Sequence, residues 1–422
     1  MEYLEINGGK PLRGEVEISG AKNATFPILS AVLLIKGKMR IKNIPRILDV
    51  QSFMEILTEI GVVINDKGGE IFIDTSKEIN SKIALNEKRN LRGSQTLLGA
   101  LIARNGEAVI PPFGGCNINI GPRPIDLHFK ALSALGANLS WDGKFLVGKV
   151  KGKLKGAAIF LDKPSVGATE NAILGAVLAE GETTIENAAR EPEIRDLINF
   201  LNLAGAKIEV NGSGGVIKIK GVKDLKPVDY SIMPDRIEAA TYLLMGAITR
   251  GRVTIKKSQP QDYEPVILKL VEIGFEIKHK DGNIEISGKG PGTGVTVNTQ
   301  PFPGFPTDAQ SQMMALLSIA KGTSVITETI FENRFKVAEE LIKMGASIRV
   351  ERETAIINGV DHLTPSEVEA PDLRGGAALL LAALSANGIS VIFKSEHIDR
   401  GYESYIEKIR KLGGVIVRKT SP

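Results

Sequence analysis

The sequence predicts an α/β protein that repeats one structural unit six times, and two recurring patterns indicate this. A strongly apolar helix that ends at a glycine and runs into a short β-strand recurs at 27–37, 96–106, 171–181, 240–251, 313–322 and 377–388. Each copy is followed by a second, amphipathic helix, which again ends at a glycine: Gly61, Gly136, Gly205, Gly274, Gly345 and Gly413. These glycines are 68 to 75 residues apart.

Each repeat is expected to read helix, strand, helix, strand, strand. The first helix is apolar on nearly all sides and should be buried, whereas the second carries Glu and Lys on one face and should be half exposed. Glycine suits the helix ends because a C-cap often requires a left-handed backbone. A hairpin pattern follows the second helix, for example 207–210 and 216–219 around Asn211-Gly212.

The length of 422 residues exceeds what one ordinary core accommodates. Six repeats could form an open solenoid, but their number and mixed strands favour two closed lobes of three repeats each. We expect one lobe over residues 22–232. The second lobe is expected to be discontinuous, over 1–21 plus 233–422, with the N-terminal strands completing it.

The composition, 43% hydrophobic and 24% charged, is typical of a soluble globular protein. The net charge is only +4, without a dense Lys/Arg block, which argues against nucleic-acid binding. The longest apolar runs are too short to span a bilayer, and the N-terminus lacks the pattern of a signal peptide. A single cysteine, Cys116, indicates a reducing compartment, so we expect a cytoplasmic protein.

Polar residues at the starts of the apolar helices break the repeat. They are Lys22-Asn23, Arg92, Ser165-Val166-Gly167, Asp235-Arg236, Thr307-Asp308 and Asp372-Leu373-Arg374. The Ser, Thr and Asp residues could be simple N-caps. Capping does not explain the four cations, because positive charge is disfavoured at a helix N-terminus. Their placement indicates a site for anionic substrates.

The second repeat contains an added loop. From Gly106 to Gly136 it takes 30 residues, where the other repeats take 23 to 25, and the surplus lies in 111–123. A lone cysteine is usually a small buried hydrophobe, but Cys116 follows Gly114-Gly115 in this lid-like segment. A loop thiol near cations has a lowered pKa and could act as nucleophile or proton donor.

Arginines recur between the first strand and the second helix of the repeats: Arg46, Arg123, Arg190, Arg334 and Arg400. Arginine suits phosphate and carboxylate because its planar fork makes two parallel hydrogen bonds. The four histidines lack metal-ligand spacing, and no Walker loop, dinucleotide fingerprint or serine nucleophile elbow is present.

Ten ordered segments carry a resemblance that covers nearly the whole chain. They are SGAKNATFPIL (19–29), PPFGGC (111–116), GPRPIDLH (121–128), SVGATENAIL (165–174), IENAAREPEI (185–194), PDRIEAATY (234–242), FPTDAQSQ (305–312), ETIFENRF (328–335), PDLRGG (371–376) and HIDRGYE (397–403). In these the chain resembles the UDP-N-acetylglucosamine 1-carboxyvinyltransferases, a family of enolpyruvyl transferases. The resemblance implies a two-lobed inside-out α/β barrel with three repeats in each lobe.

The implied reaction transfers the enolpyruvyl group of phosphoenolpyruvate to the 3-hydroxyl of UDP-N-acetylglucosamine, with release of phosphate. It is an addition followed by an elimination, and the family uses no metal and no organic cofactor. The resemblance implies the first committed step of peptidoglycan synthesis, with roles in cell wall, cell shape and division, and a target of fosfomycin. It implies no nucleic acid, membrane or obligate protein partner.

The resemblance also implies residue roles. Cys116 matches the family's proton donor, and Asp308 matches the base near the attacking hydroxyl. Lys22, Arg123 and Arg400 match the cations that hold phosphoenolpyruvate, with Lys22 and Arg400 counted as catalytic. The other positions matched to substrate binding or its support are Asn23, Arg92, Pro124, Ile125, Asp126, Leu127, Lys163, Ser165, Val166, Gly167, Asp235, Thr307, Ile330, Phe331, Glu332, Arg334 and the charged pair Asp372 and Arg374.

The chain departs from the family pattern in a loop between Cys116 and Arg123 that is about two residues longer, and at Leu48 and Thr96, where Lys and Trp are more usual. Three alternatives remain. The first is 5-enolpyruvylshikimate-3-phosphate synthase, which shares architecture and donor. The second is an idle homologue that binds nucleotide sugar, and the third is a structural scaffold, which would leave the cations unexplained.

Overall fold

The computed structural model describes residues 2–67, 70–85, 92–111, 125–212, 215–280 and 282–420. The chain divides into two compact units. Unit 1 comprises Met1–Ser19, Arg46–Leu48 and Pro234–Pro422, and unit 2 comprises Gly20–Pro45 and Asp49–Met233.

Helices begin and end as follows: α1 Lys22–Ala31, α2 Leu48–Glu59, α3 Leu97–Asn105, α4 Asp126–Ala134, α5 Val166–Ala176, α6 Pro192–Leu203, α7 Arg236–Ile248, α8 Glu264–Ile273, α9 Gln310–Leu317, α10 Val337–Lys343, α11 Leu373–Ser385, α12 Glu396–Asp399 and α13 Tyr405–Lys411. Short 3-10 helices cover Val32–Leu34, Arg92–Thr96, Pro260–Asp262, Thr307–Ala309 and Arg334–Lys336. None of the helices in the described ranges is long and apolar enough to cross a membrane.

The strands are β1 Glu2–Asn7, β2 Arg13–Glu17, β3 Lys38–Lys42, β4 Val63–Lys67, β5 Glu70–Asp74, β6 Glu107–Ile110, β7 Asn138–Trp141, β8 Leu146–Lys149, β9 Ala158–Phe160, β10 Glu182–Glu186, β11 Lys207–Asn211, β12 Val216–Lys220, β13 Asp229–Ser231, β14 Arg252–Lys256, β15 Glu276–Lys280, β16 Asn283–Ser287, β17 Thr296–Asn298, β18 Thr323–Thr327, β19 Ser347–Glu351, β20 Thr354–Asn358, β21 Glu367–Glu369, β22 Ile389–Phe393 and β23 Val415–Thr420.

In each unit three apolar helices pack against one another, and three sheets formed by the described strands flank them. The helices are α1, α3 and α5 in unit 2 and α7, α9 and α11 in unit 1. All 13 residues of α7 and all 8 of α9 are buried. The sheets of unit 1 have the orders β21-β22-β1-β23, β15-β16-β14-β2 and β17-β18-β20-β19, and those of unit 2 the orders β13-β3-β5-β4, β11-β12-β10-β9 and β6-β8-β7. The predicted sixfold α/β repetition is therefore confirmed.

The sheets differ from the predicted repeat by one extra strand. Among the described residues, a short strand precedes five of the six apolar helices and pairs in parallel with the first strand of a repeat, as β17 does with β18 and β9 with β10. Apart from β2 these strands have three residues, too few to show an alternating pattern in the sequence. The predicted hairpin is confirmed, since β11 and β12 pair antiparallel with Ile208 opposite Ile219.

The N-terminal segment is built into unit 1. Strand β1 lies between β22 and β23, antiparallel to both, with Leu4 opposite Ile392 on one side and Arg418 on the other. Strand β2 runs parallel to β14 in another sheet of the unit. Both Leu4 and Ile392 are fully buried, so this pairing forms part of the core of unit 1.

The glycines at the ends of the second helices adopt the left-handed backbone expected of them, with φ from 86° at Gly345 to 110° at Gly274. The apolar helix α7 also ends at a glycine in the sequence, Gly251. The positive φ there, 53°, belongs to the preceding residue, Arg250, and not to Gly251. A Cβ at Gly251 would lie 2.0 Å from the carbonyl oxygen of Leu12. Gly251 is needed there because the N-terminal segment passes too close for any side chain.

A buried ion pair joins three segments of unit 1. Lys408 on α13 donates to Glu238 Oε1 at 2.6 Å and to Ser19 Oγ at 2.7 Å, and the Ser19 N–H donates to Glu238 Oε2 at 2.8 Å. Burial raises the pKa of Glu238 to about 7, because desolvation outweighs the attraction of Lys408, and the charge of Asp235 adds to the rise.

This pair generates a prediction about stability. Between pH 4.5 and about 7 the folded chain keeps a proton on Glu238 that the unfolded chain has lost, so stability falls as pH rises through this window. We expect Glu238→Gln to abolish this pH-dependent decrease in the free energy of unfolding, which is roughly 3 kcal/mol at most. Thermal unfolding of both proteins across the window measures the difference.

The matched control is Glu15→Gln, which removes an exposed carboxylate that pairs with Lys256 in the same unit. It should keep the pH dependence of the parent. Parallel curves for the parent and Glu238→Gln would contradict the assignment.

Candidate active site

Lys22 lies at the first position of α1 in unit 2, as the sequence predicts. Its Nζ is 2.7 Å from Asp49 Oδ2, and only 12% of its side chain is exposed. The carboxylate of Asp49 on α2 offsets the unfavourable electrostatic energy of a cation at a helix N-terminus. Sequence reasoning missed Asp49, although an acidic residue at the buried start of an amphipathic helix was visible.

The start of α5 carries the predicted Ser165–Gly167 turn. Ser165 is the N-cap, and its Oγ accepts a hydrogen bond from the N–H of Ala168 at 3.4 Å. Val166 and Gly167 form the first turn and are partly exposed. The backbone N–H groups of such a turn favour a bound anion.

Asn171, which the sequence reasoning missed, ties this turn to α3. Its Oδ1 accepts from the N–H of Gly99 at 2.7 Å, and its Nδ2 donates to the Gln95 carbonyl at 3.0 Å. The same Nδ2 is 2.9 Å from Nδ1 of His128 and also reaches the Gly167 carbonyl at 3.2 Å. A polar residue inside an apolar helix was the signal that could have found it.

His128 is neutral in this setting. Burial lowers the pKa of His128 to about 4, against an opposing effect from Asp126. Because Asn171 supplies the N–H at Nδ1, the ring proton belongs on Nε2. His128 therefore supports the helix starts as a fixed hydrogen-bond partner and adds no charge.

The remaining predicted residues of unit 2 are placed as follows. Asn23 is partly buried on α1, and Lys163 is exposed just before the Ser165 turn. Ile125 caps α4, which Asp126 begins and which buries Leu127. Arg92 is the first residue of a 3-10 helix that leads into α3. Cys116, Arg123 and Pro124 lie outside the described residues.

Asp308 in unit 1 is held between two guanidinium groups. Arg334 Nη2 is 2.6 Å from Oδ1, and Arg374 Nη2 is 2.9 Å from Oδ2. Burial by itself would raise the pKa of Asp308, but Arg374 and then Arg334 outweigh it and hold that pKa well below its usual range. The carboxylate is thus kept ionised and is a weak base in this arrangement.

Arg374 makes its side-chain ion pair with Asp308 and not with Asp372, the partner that the resemblance implied. Asp372 instead caps α11, where its Oδ1 accepts from the backbone N–H groups of Arg374 and Gly375 at 2.8 and 2.9 Å. Asp235 caps α7 in the same way. The two aspartates fix helix starts, and the two cations that follow them extend from those starts.

Tyr402 holds the guanidinium of Arg374 in place. Its hydroxyl accepts from Arg374 Nη1 at 3.3 Å and from Gln312 Nε2 at 3.0 Å, and it lies 3.0 Å from the Thr241 hydroxyl. The Thr241 hydroxyl donates to the Ile237 carbonyl, so the Tyr402 hydroxyl donates to Thr241. One tyrosine thereby links α7, α9 and α11.

Arg400 follows α12 and lies between two anchored residues. Asp399 accepts two hydrogen bonds from Arg418 on β23, at 2.8 and 2.5 Å, and Tyr402 is held as described above. Two fixed neighbours therefore flank Arg400 in the chain. The contribution of Arg418 was not visible in the sequence, because the pairing joins residues from separate elements.

The turn at 330–332 is ordered by a buried carboxylate that the sequence reasoning missed. Glu328 is 3% exposed, and its Oε1 accepts from the backbone N–H groups of Ile330 and Phe331 at 2.8 and 3.0 Å. Its Oε2 accepts from the Thr307 hydroxyl at 2.9 Å. The turn, which also carries Glu332, is thereby joined to the segment beside Asp308.

Among the described residues, no group of three or more His, Cys, Asp and Glu side chains is placed to hold a metal ion. The chemistry available in the two units is that of anion binding, by Lys22, the α5 turn and the arginines, and of a carboxylate whose proton affinity its cations control.

Comparisons with known proteins place this arrangement in a family. The model of the family described as EPSP synthase (3-phosphoshikimate 1-carboxyvinyltransferase) matches residues 6–409. The chain is 49% identical over 420 residues to UDP-N-acetylglucosamine 1-carboxyvinyltransferase 2 of Caldanaerobacter subterraneus subsp. tengcongensis, covering 99% of this chain and 100% of the relative. It is 46% identical to the enzyme numbered 1 from the same organism, over 98% of this chain and 99% of the relative.

A solved structure agrees. The enolpyruvyl transferase NikO from Streptomyces tendae superposes with a TM-score of 0.89 at 26% identity, covering 100% of this chain and 99% of that one. The fold, the family model and the identity over nearly the full length agree with one another. The chain therefore belongs to the UDP-N-acetylglucosamine 1-carboxyvinyltransferase family of enolpyruvyl transferases.

Proposed function

We propose that this chain transfers the enolpyruvyl group of phosphoenolpyruvate to the 3-hydroxyl of UDP-N-acetylglucosamine and releases phosphate. The observation that carries this proposal is the 46–49% identity, over nearly full length, to enzymes named for that reaction. The site residues of both units support it, since the donor is an anion and the chain supplies cations at helix starts.

The chemistry requires an acid, a base and fixed anion contacts. In the addition step C3 of phosphoenolpyruvate gains a proton, C2 gains cationic character, and the sugar hydroxyl attacks C2 as it loses its proton. We assign the acid to Cys116 and the base to Asp308. Lys22, Arg123 and Arg400 hold the phosphate and carboxylate while the charge redistributes. The elimination step then removes a proton from C3, re-forms the double bond between C2 and C3, and expels phosphate.

The nucleotide sugar is assigned to residues that present backbone N–H groups or shaped turns. The first turn of α5 at Ser165–Gly167 suits phosphate oxygens, because it exposes N–H groups at the positive end of an eleven-residue helix. The turn ordered by Glu328 is assigned to the sugar-nucleotide contacts of Ile330, Phe331 and Glu332. The remaining assigned contacts are Asn23, Arg92, Pro124, Ile125, Asp126, Leu127, Lys163, Asp235, Thr307, Arg334, Asp372 and Arg374.

The proposed reaction is the first committed step of peptidoglycan synthesis, so the chain would serve cell-wall formation and, through it, cell shape and division. We place it in the cytoplasm and expect it to be a target of fosfomycin. Its proposed partners are the two small-molecule substrates, without a metal, an organic cofactor, nucleic acid or an obligate protein partner.

The alternative acceptor is shikimate 3-phosphate, because the matching family is described as 3-phosphoshikimate 1-carboxyvinyltransferase. The relatives that are nearly half identical are named for the amino-sugar nucleotide, which favours that acceptor. The other alternative, an idle homologue that binds nucleotide sugar, predicts binding without turnover.

The first test is phosphate release from phosphoenolpyruvate, with UDP-N-acetylglucosamine and shikimate 3-phosphate as separate acceptors. We expect release with the nucleotide sugar only. Release with shikimate 3-phosphate would select the alternative acceptor, and silence with both, from folded protein that binds UDP-N-acetylglucosamine, would select the idle homologue.

Cys116→Ser should lower turnover by at least about 100-fold while the fold is kept, because a serine hydroxyl is too weak an acid to protonate C3. Cys116→Asp should keep measurable turnover, since a carboxylic acid can also donate a proton. Steady-state phosphate release and circular dichroism on both variants make the comparison. A Cys116→Ser enzyme with wild-type turnover would refute the proton-donor role.

Lys22→Ala should weaken phosphoenolpyruvate binding about tenfold or more, because it removes a cation and leaves the Asp49 carboxylate without that partner. Calorimetric titration measures the change. The matched control is Lys130→Ala, which breaks an exposed ion pair with Asp162 in the same unit and should bind normally. Equal affinities for Lys22→Ala and wild type would exclude the role.

A further inference from the structure

The two arginines that hold Asp308 are anchored differently. Arg374 is fixed: its side chain is 6% exposed, it lies in the first turn of α11, and its guanidinium also meets the Tyr402 hydroxyl at 3.3 Å and lies 5.7 Å over that ring. Tyr402 is held in turn by Thr241 and Gln312. Moving Arg374 would break this buried network.

Arg334 is fixed less firmly than Arg374. It begins a 3-10 helix of three residues, directly after Asn333 with a left-handed backbone of φ 57°, and its side chain is 16% exposed. Its hydrogen bonds to described residues all come from Nη2, to Asp308 at 2.6 Å and to the Thr307 carbonyl at 3.4 Å. The guanidinium otherwise lies 5.2 Å over the Phe331 ring.

Arg334 also has unused hydrogen-bonding capacity. Its Nε is buried and lacks a hydrogen-bond partner among the described residues. A buried donor without an acceptor is costly, and a guanidinium that uses one nitrogen could bind an oxyanion through two. The arrangement is therefore less favourable for Arg334 than a complex with a phosphate or carboxylate would be.

The chemistry of Asp308 requires a change in this arrangement. A carboxylate between two guanidiniums is stabilised as the anion, so it accepts a proton reluctantly. Charged groups that face it include Arg334 on the 3-10 turn and Arg374 on α11, and Arg374 itself is influenced by Tyr402 and Asp235. Removing one guanidinium is the smallest change that restores the proton affinity of Asp308.

We propose that Arg334 is a displaceable counterion of Asp308: a phosphate or carboxylate oxygen of a bound substrate takes over its guanidinium, and Asp308, still paired with Arg374, then accepts the proton of the sugar's 3-hydroxyl. This proposal rests on the proposed function and makes Arg334 a positioning residue for the base. In the step, the π bond between C2 and C3 of phosphoenolpyruvate breaks as C3 takes the proton of Cys116, and the O–H bond of the hydroxyl breaks as its oxygen bonds to C2. The hydroxyl proton goes to Asp308, from which it later returns to solvent.

The test measures the protonation of the Asp308 carboxyl directly and does not require turnover. Protein with aspartate labelled with ¹³C at the side-chain carboxyl is titrated by NMR, and the Asp308 resonance is identified by its loss in Asp308→Asn or Asp308→Glu, whichever folds. In Arg334→Met we expect the midpoint of this resonance to move upward by about one pH unit or more, because one of two cations is gone. Arg334→Lys should restore most of the wild-type behaviour.

The matched control is Lys336→Met, which removes an exposed cation from the same 3-10 turn and should leave the Asp308 titration unchanged. Wild-type protein is then titrated with UDP-N-acetylglucosamine alone and with phosphoenolpyruvate alone. We expect at least one of them to shift the midpoint as Arg334→Met does, and the arm that does so identifies the displacing anion.

Two results would overturn the proposal: an Asp308 titration that is the same in Arg334→Met as in wild type, or one that neither substrate changes. Neither result depends on phosphate release, so this test can fail while the enolpyruvyl transfer is confirmed. Conversely, an enzyme without turnover could still show the shift caused by removing Arg334.

Discussion

Burial of the apolar helices is the constraint on which the rest of the structure depends. In each unit three helices lie against one another, and α7 and α9 expose none of their residues. A helix buried in this way still has backbone N–H groups at its start that need partners. The chain satisfies them with caps such as Asp235 and Asp372, and the same starts then offer the positions from which cationic side chains extend.

The same burial explains the polar residues inside the apolar helices. Asn171 in unit 2 and Gln312 in unit 1 are buried in the apolar layer, and they bond to Gly99 of α3 and Thr241 of α7. A buried polar group without partners would cost more than its removal, so such residues fix the relative position of the helices that they join. They determine geometry at the helix starts in addition to stability.

Much of the fold could be predicted from the sequence because its signals are local. Apolar periodicity and glycine stops identified the helices, and the left-handed backbone at the predicted glycines follows from the need to end a helix. The added parallel strands escaped prediction because three residues carry no period. At Gly251 the glycine serves a different purpose, since a Cβ there would lie 2.0 Å from the carbonyl oxygen of the distant Leu12.

The candidate site was predictable in part, and for the same reason. Lys22, Asp308 and Arg374 were identified because cations and carboxylates stand out at helix starts and because the ordered motifs resemble a known family. Their partners were not: Asp49 for Lys22 and Asp308 for Arg374 are pairings in space that no single-sequence pattern reveals. Glu328 is a similar case, since its role depends on the turn that folds back over it.

The position of β1 has a consequence for how the chain is made. This strand precedes all segments of unit 2 in the chain, yet its neighbours β22 and β23 follow all of them. The sheet cannot form until β22 and β23 have been synthesised, whereas the segments of unit 2 are complete before then. Through that interval the N-terminal strand has an open edge that can pair with other chains, so co-translational chaperoning of this segment matters more than its length suggests.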